Sequence, residues 1–260
     1  MSFSPEEVER YARHLVLHEI GGPGQQRLKA SSVTVVGAGG LGCPALLYLA
    51  AAGVGRITVI DDDVVSRSNL QRQILYAEAE IEEPKAMAAI AALRRLNAHV
   101  EVTPVIARLD AQNAAALLVE ADLVLDGSDN ASTRYAVNEA AVAAGLPLIS
   151  GAVGRWEGQV GVFDTANGGP CYACAFPEAP DPALVPACAE AGVIGALTGV
   201  IGAMQAVEAV KLITGAGEAL TGRLLLYDAL RATTQVLRVS RREGCAVCGN
   251  ARSKNLAAAS

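Results

Sequence analysis

Gly37-Ala38-Gly39-Gly40-Leu41-Gly42 follows a β-branched run and opens a helix-compatible stretch. A G-x-G-x-x-G turn in that position lets the backbone approach phosphate and turns the N–H groups of a helix start toward it. Asp61, at the end of the next β-branched run, is placed to accept hydrogen bonds from a ribose hydroxyl. These features indicate a nucleotide without indicating a reaction, because NAD and ATP suit them equally. The residues that follow are less usual for a dehydrogenase: Asp61-Asp62-Asp63, Ser68-Asn69-Leu70-Gln71-Arg72-Gln73, Pro84-Lys85, and later Asp126-Gly127-Ser128-Asp129-Asn130. If these loops converge at the carboxyl ends of strands, Arg72 and Lys85 would neutralise phosphates and Asp129 would hold a magnesium ion. Taken one at a time, each charge reads more simply as solvated surface; convergence is what would give them a task.

Four of the six cysteines form Cys171-x-x-Cys174 and Cys245-x-x-Cys248. Two short loops of this kind place four thiolates around a tetrahedral zinc ion, the alternative being redox disulfides. A closed four-thiolate site has no open coordination position, so its expected task is structural. Cys188, in Pro186-Ala187-Cys188-Ala189-Glu190, reads either as a thiol activated by a helix N-terminus or as an inert small residue. Cys43 reads as core. His14, His18 and His99 have no metal-ligand spacing and no G-x-S-x-G elbow occurs, which argues against a zinc hydrolase or a serine esterase.

The elements that must position these residues alternate. An amphipathic helix with proline in its first turn is predicted from Pro5 to Leu17, then a strand over Ser32–Val36, a helix over Leu41–Ala52 and a strand over Arg56–Ile60. Helices follow from Pro84 to Asn97, Asp110 to Val119 and Thr133 to Ala144, interleaved with strands at Val100–Val105, Leu123–Leu125 and Leu146–Ile149. This pattern specifies an α/β fold, a Rossmann-like doubly wound, mostly parallel sheet. Later strands at Val160–Phe163, Leu224–Tyr227 and Gln235–Val239 would extend it, in part antiparallel.

At 260 residues and 52% hydrophobic side chains, the chain suits one core. It is read as a single unit with a nucleotide-binding half over 1–150, a zinc-binding half over 151–249, and a tail over 250–260. A net charge of −6 with scattered basic residues offers no footprint for nucleic acid. The acidic start, MSFSPEEVERYARH, lacks the pattern of a secretory leader, which suggests a cytoplasmic protein. The uncharged run from Ala191 to Val207 ends at Glu208 and Lys211, too soon for a bilayer span, so residues 192–214 are expected to form a buried helix rather than a membrane anchor.

RYARH near the start, GAGGLG, SNLQRQ, the Pro-Lys step, DGSDN, CYAC, ACAEAG and CAVCG occur together and in this order. Each motif is weak alone, but the ordered set resembles the MoeB/ThiF branch of the ubiquitin-activating enzyme superfamily over nearly the whole chain. The resemblance implies adenylation, in which the C-terminal glycine carboxylate of a ubiquitin-like sulfur-carrier protein ending in Gly-Gly attacks the α-phosphate of ATP. It also implies that the glycine loop (Gly37, Gly39, Gly40 and Gly42) meets phosphate and Asp61 the ribose. Asn69, Gln71, Arg72 and Lys85 would surround the triphosphate, Asp129 would hold magnesium, and Asp63 and Asn130 would complete the nucleotide site. Arg13 would reach into the partner subunit's site, implying a homodimer. In relatives the cysteine matching Cys188 can take part in thioester, persulfide or acyl-disulfide chemistry. The DGSDN loop departs from the commoner pattern with Cys-Thr before the final Asp-Asn.

Two pathways fit the resemblance. SGAVGRWEGQV, with Arg155 and Glu157, is closer to molybdopterin-synthase adenylyltransferases, whereas DDDVVSRSNLQRQIL resembles thiazole-forming relatives as much. The molybdopterin carrier is the expectation, with a separate sulfur donor because no room remains after Cys248 for a rhodanese domain. The competing readings are an NAD-dependent oxidoreductase, which leaves Arg72, Lys85 and Asp129 without a use, and a noncatalytic zinc scaffold that binds a ubiquitin-like partner.

Overall fold

A computed structural model describes residues 3–179 and 192–249. Helix α1 (Pro5–Leu15) starts where the sequence requires: Ser4 accepts from the Glu7 N–H while the Glu7 carboxylate accepts from the Ser4 N–H, with proline in the first turn. It stops two residues short of the predicted Leu17. A second helix, α2 (Gly21–Ala30), was not foreseen, because GGPGQQRLKA carries glycines and a proline that ordinarily break helices. Leu28, with no exposed surface, anchors α2 to the core.

Strand β1 (Ser32–Val36), helix α3 (Gly42–Ala52) and strand β2 (Arg56–Ile60) form the first βαβ unit, and α3 ends at Gly53 in the left-handed conformation. Next come α4 (Lys85–Leu96), β3 (Glu101–Val105), α5 (Ala114–Leu118), β4 (Leu123–Asp126), α6 (Ala131–Ala144), β5 (Leu148–Gly154) and β6 (Glu157–Phe163). Helix α5 is shorter than the predicted Asp110–Val119. The Asp110 carboxylate accepts from the N–H groups of Gln112 and Asn113, and this turn delays the helix start. A single turn, α7 (Tyr172–Ala175), leads toward α8 (Gly195–Thr214), β7 (Arg223–Asp228) and β8 (Thr233–Arg238).

Among the described residues, eight strands form one sheet in the order β3-β2-β1-β4-β5-β6-β7-β8. The first five are parallel, while β6, β7 and β8 continue antiparallel, as expected for the C-terminal extension. Side chains alternate between two cores. Val33, Val35, Ile57, Val59, Leu123 and Leu125 point toward α3, α4 and α8. Val36, Ile60 and Val124 point the other way, toward α5 and α6.

By length and composition α8 would suit a membrane. Its Leu197, Ile201, Ala206 and Ala209 are instead buried in the first core, so the expected packed helix is observed with its start at Gly195. Strand order reverses between β1 and β4, and in open α/β sheets ligands bind at the carboxyl ends of strands beside such a switch.

Candidate nucleotide site and cysteine centre

The glycine loop leaves β1 at this switch. Gly37 turns at φ +88°, donates to the Ile60 carbonyl at 2.9 Å, and lies against the backbone of Gly127. A side chain at Gly42 would bring its Cβ within 1.9 Å of the Gly37 carbonyl oxygen, so the first turn of α3 closes on the loop only as glycine. Asp61 clasps the loop from β2: one carboxylate oxygen accepts from the Ala38 N–H at 2.7 Å and the other from the Asp63 N–H at 2.9 Å. Burial raises the Asp61 pKa against the opposing pull of the Lys85 cation. Lys85 is itself buried and pairs with the exposed Asp63 carboxylate at 2.6 Å.

The SNLQRQ segment folds back over this loop. Gln73 is buried beside Gly39, and its Oε1 has no hydrogen-bond partner among the described residues. The Thr198 side chain lies against Gly40, and its hydroxyl donates to the Gly195 carbonyl at 2.7 Å. A Cβ on Gly195 would lie 2.3 Å from the Gln71 carbonyl oxygen, so the start of α8 seats directly on this segment. The Arg72 guanidinium donates to the Ser68 carbonyl at 3.1 Å, and the Asn69 side chain accepts from the Ser66 N–H at 3.4 Å, which shapes the turn.

The DGSDN loop completes the rim from β4. Asp126 has no exposed surface and accepts from the Ser128 N–H, the Ser128 hydroxyl and the Ser150 hydroxyl. Asp129 is exposed and carries no hydrogen bond or ion pair among the described residues. Asn130, expected at the nucleotide, caps α6 by accepting from the Thr133 N–H at 2.9 Å. The glycine loop, Asp61, Asp63, Lys85 and the loop at Gly127 are thus brought together.

Arg13 is not brought to this rim. Helix α1 packs through Tyr11 against Gly53, at the far end of α3. An 11-residue helix separates that end from the glycine loop by about 16 Å. Cys188 lies outside the described residues.

Cys43, just inside α3, has no exposed surface; its thiol donates to the Ala38 carbonyl at 3.3 Å, and burial pushes its pKa up to about 12. It belongs to the core, as the sequence suggested.

The cysteine pairs do meet. The sulfurs of Cys171, Cys174, Cys245 and Cys248 all lie within 4.8 Å of one another, buried on α7 and the turn after β8. Cys171–Cys174, Cys171–Cys245 and Cys174–Cys248 separations are 3.9, 3.6 and 3.4 Å. These exceed the ~2.05 Å of a disulfide and bracket the ~3.8 Å edge of a tetrahedron with Zn–S bonds of ~2.3 Å. Burial raises the thiol pKa of Cys245, but N–H groups of Cys248 and Val247 and the neighbouring thiols outweigh it, bringing it down to about 7. The Arg242 N–H also points at the Cys174 sulfur, at 3.4 Å, as expected for a thiolate acceptor. The donor set therefore fits zinc.

Several groups in this architecture were weakly marked or unmarked in the sequence. Gln73 and Asp126 sit in motifs but between better-marked neighbours. Thr198 and Arg134, whose side chain reaches Asp126, Ser150 and Ser128, acquire importance through contacts outside their own helices.

A family model described as the ThiF family matches residues 11–247. The chain is 51% identical to a sulfur carrier protein adenylyltransferase of Thermus thermophilus over 254 residues, covering 96% of this chain and 94% of that protein. It is 48% identical to the SAMP-activating enzyme E1 of Haloferax volcanii, covering 96% and 92% respectively. It is 51% identical to the adenylyltransferase and sulfurtransferase MOCS3 of Bos taurus, covering 95% of this chain and 54% of that protein. Among solved structures, E. coli MccB with MccA-N7isoASN shares the fold at a TM-score of 0.83 and 22% identity, over 96% of this chain and 76% of that one.

Proposed function

From the premise that this chain belongs to the ThiF family, we propose that it activates a ubiquitin-like sulfur carrier for molybdopterin biosynthesis, through the residues gathered around the glycine loop. It is an ATP-dependent adenylyltransferase: an oxygen of the carrier's terminal glycine carboxylate forms a bond to the α-phosphorus of ATP. The bond from that phosphorus to the bridging oxygen breaks, and the electron pair leaves with pyrophosphate. The observation that carries this reading is the 51% identity to a sulfur carrier protein adenylyltransferase across 96% of the chain, with the site motifs at the carboxyl ends of adjacent strands.

A carboxylate is already ionised at neutral pH, so the reaction needs no strong base. The barrier lies in bringing anions together, and cations with fixed N–H donors lower it. The N–H groups of the glycine loop and α3 face the phosphates, and Asp61 accepts from the ribose. Lys85 and Arg72 neutralise the triphosphate, with Asn69, Gln71 and Gln73 lining it. Lys85 leaves Asp63 to do so, and Asp63 returns to solvent. A magnesium ion at Asp129 would supply further charge neutralisation of the leaving group.

Arg13, too far from its own glycine loop, serves the site of a second copy, which makes the working unit a homodimer. Cys171, Cys174, Cys245 and Cys248 would hold a zinc ion that ties the C-terminal turn to α7 and, with four thiolate ligands, would have no open position for substrate. The free thiols suit a reducing compartment, the cytoplasm.

Carrier-dependent ATP–pyrophosphate exchange tests the reaction, with purified carriers of the molybdopterin and thiamine types, each ending in Gly-Gly. Exchange with the first carrier alone is expected. Exchange with the second alone would reassign the pathway, and exchange with neither, from folded protein with magnesium, would sink the adenylation reading.

A further inference from the structure

Asp129 lies between two residues whose polar groups are already committed. On one side, the N–H and hydroxyl of Ser128 both donate to Asp126. On the other, Asn130 caps α6. The Ser128 carbonyl is held as well: it accepts from Arg134, whose other terminal nitrogen donates to the Gly151 carbonyl at 2.9 Å and to the Ser150 hydroxyl at 3.3 Å. That guanidinium is one-tenth exposed and stands 3.8 Å from the Asp126 carboxylate, which has almost no exposed surface. One planar group thereby ties the loop after β4 to the middle of β5. A planar fork with five donors can meet several acceptors in fixed directions, which an ammonium on a flexible stem does poorly.

The helix that carries Arg134 has a neighbour from the cysteine centre. Tyr172 sits inside the CYAC turn, buried, with its backbone N–H donating to Asn138 at 2.8 Å. Its ring is wedged among Tyr135, Phe163 and Phe176 at centroid distances of 5.5, 5.6 and 4.7 Å. The side chain that a zinc ion would immobilise from both flanks, at Cys171 and Cys174, therefore packs on α6, the helix that carries Arg134, through Tyr135 and Asn138.

We propose that Arg134 is the positioning residue of the magnesium loop, and that Tyr172 of the CYAC turn braces the helix that carries Arg134. This rests on Asp129 being the magnesium ligand. Arg134 touches neither metal nor nucleotide; it holds the Ser128 carbonyl so that the Asp129 carboxylate is presented without further ordering. Through Tyr172 the cysteine centre, otherwise remote from the chemistry, sets the stiffness of the loop at the carboxyl end of β4.

The test uses zinc-loaded, full-length protein with a non-hydrolysable ATP analogue, and follows Mn²⁺ binding by electron paramagnetic resonance alongside thermal melting. Arg134→Lys keeps the charge beside Asp126 and is expected to melt near the parent temperature while binding Mn²⁺ about tenfold more weakly, as when an outer-shell partner is lost. Tyr172→Leu loses the edge contact with the Tyr135 ring; a weakening of about threefold in the same direction is expected, the size of one modest aromatic pair. Asp129→Asn should weaken binding on its own, and adding Arg134→Lys to it should weaken binding no further. Parent-like Mn²⁺ binding in Arg134→Lys, with Asp129→Asn impaired, would overturn the positioning role alone. Multiplying effects in the double variant would likewise show that Arg134 does not act through Asp129. Parent-like binding in Asp129→Asn would overturn the magnesium assignment and the inference with it.

Discussion

Around the glycine loop most polar side chains already have internal partners: Asp61 accepts from two backbone N–H groups, Lys85 is paired with Asp63, and Asn130 caps a helix. At the cysteine centre the four thiols mainly face one another. On the proposed function the first region exchanges partners, Lys85 giving up Asp63 when a triphosphate arrives. The second holds four sulfurs at the spacing of a zinc site. A change near the glycine loop should therefore be felt in rate or affinity with the fold intact, and a change at the cysteines in stability.

Zinc removal tests the second half of that contrast and should have the largest effect. The metal would close a loop across a sequence separation of 74 residues, and the chain-entropy model for a cross-link of that span gives about 4 kcal/mol. At roughly 2–4 °C per kcal/mol for a chain of this size, chelation or Cys248→Ser should lower the melting temperature by about 10 °C in a calorimetric scan. An unchanged scan would show that the thiols contribute packing alone.

Next in size, Asp129→Ala and Arg72→Ala should each slow carrier-dependent exchange by on the order of a hundredfold, with circular dichroism and melting unchanged. Near-normal exchange removes the residue from the site.

Gly195→Ala probes the seat of α8 on the SNLQRQ segment. The Cβ would collide with the Gln71 carbonyl, so the KM for ATP should rise about tenfold, by an amount comparable to a 1.4 kcal/mol misfit, while melting shifts by a few degrees at most.

The smallest effect is opposite in sign for stability and function. Burial raises the Asp61 pKa, so its ionisation opposes folding, and that cost is present above the ordinary aspartate range near ~3.9. Asp61→Asn should accordingly melt slightly higher than the parent at neutral pH, with the difference vanishing in acid, yet bind ATP several-fold more weakly. A lower melting temperature at neutral pH would show that the two N–H clasps outweigh the buried charge.

The sequence made the periodic parts of this molecule legible. β1, α3 and β2 carry a β-branched run, a glycine turn and an apolar helix in register, and their bounds were read nearly to the residue. α2 was hidden because local propensity argues against a helix in GGPGQQRLKA, and burial of Leu28 overrides it. α5 was overextended because the Asp110 turn competes with the helix through a side chain. In the site, motif residues were visible through spacing, whereas Arg134 was not, since one arginine in ASTRYAVNEAAVAA has no local pattern and gains its role from β5. Asn130 shows the reverse: a motif residue whose side chain is spent on a helix cap.

Cys43 has a use that follows from its burial. A thiol with no exposed surface and a pKa near 12 reacts with an alkylating reagent only when the segment above it lifts away. Its hydrogen bond ends on Ala38, inside the glycine loop. Labelling of this natural sulfur therefore counts how often the loop opens, and a nucleotide that clamps the loop should slow the count, giving a reporter of occupancy that needs no introduced probe.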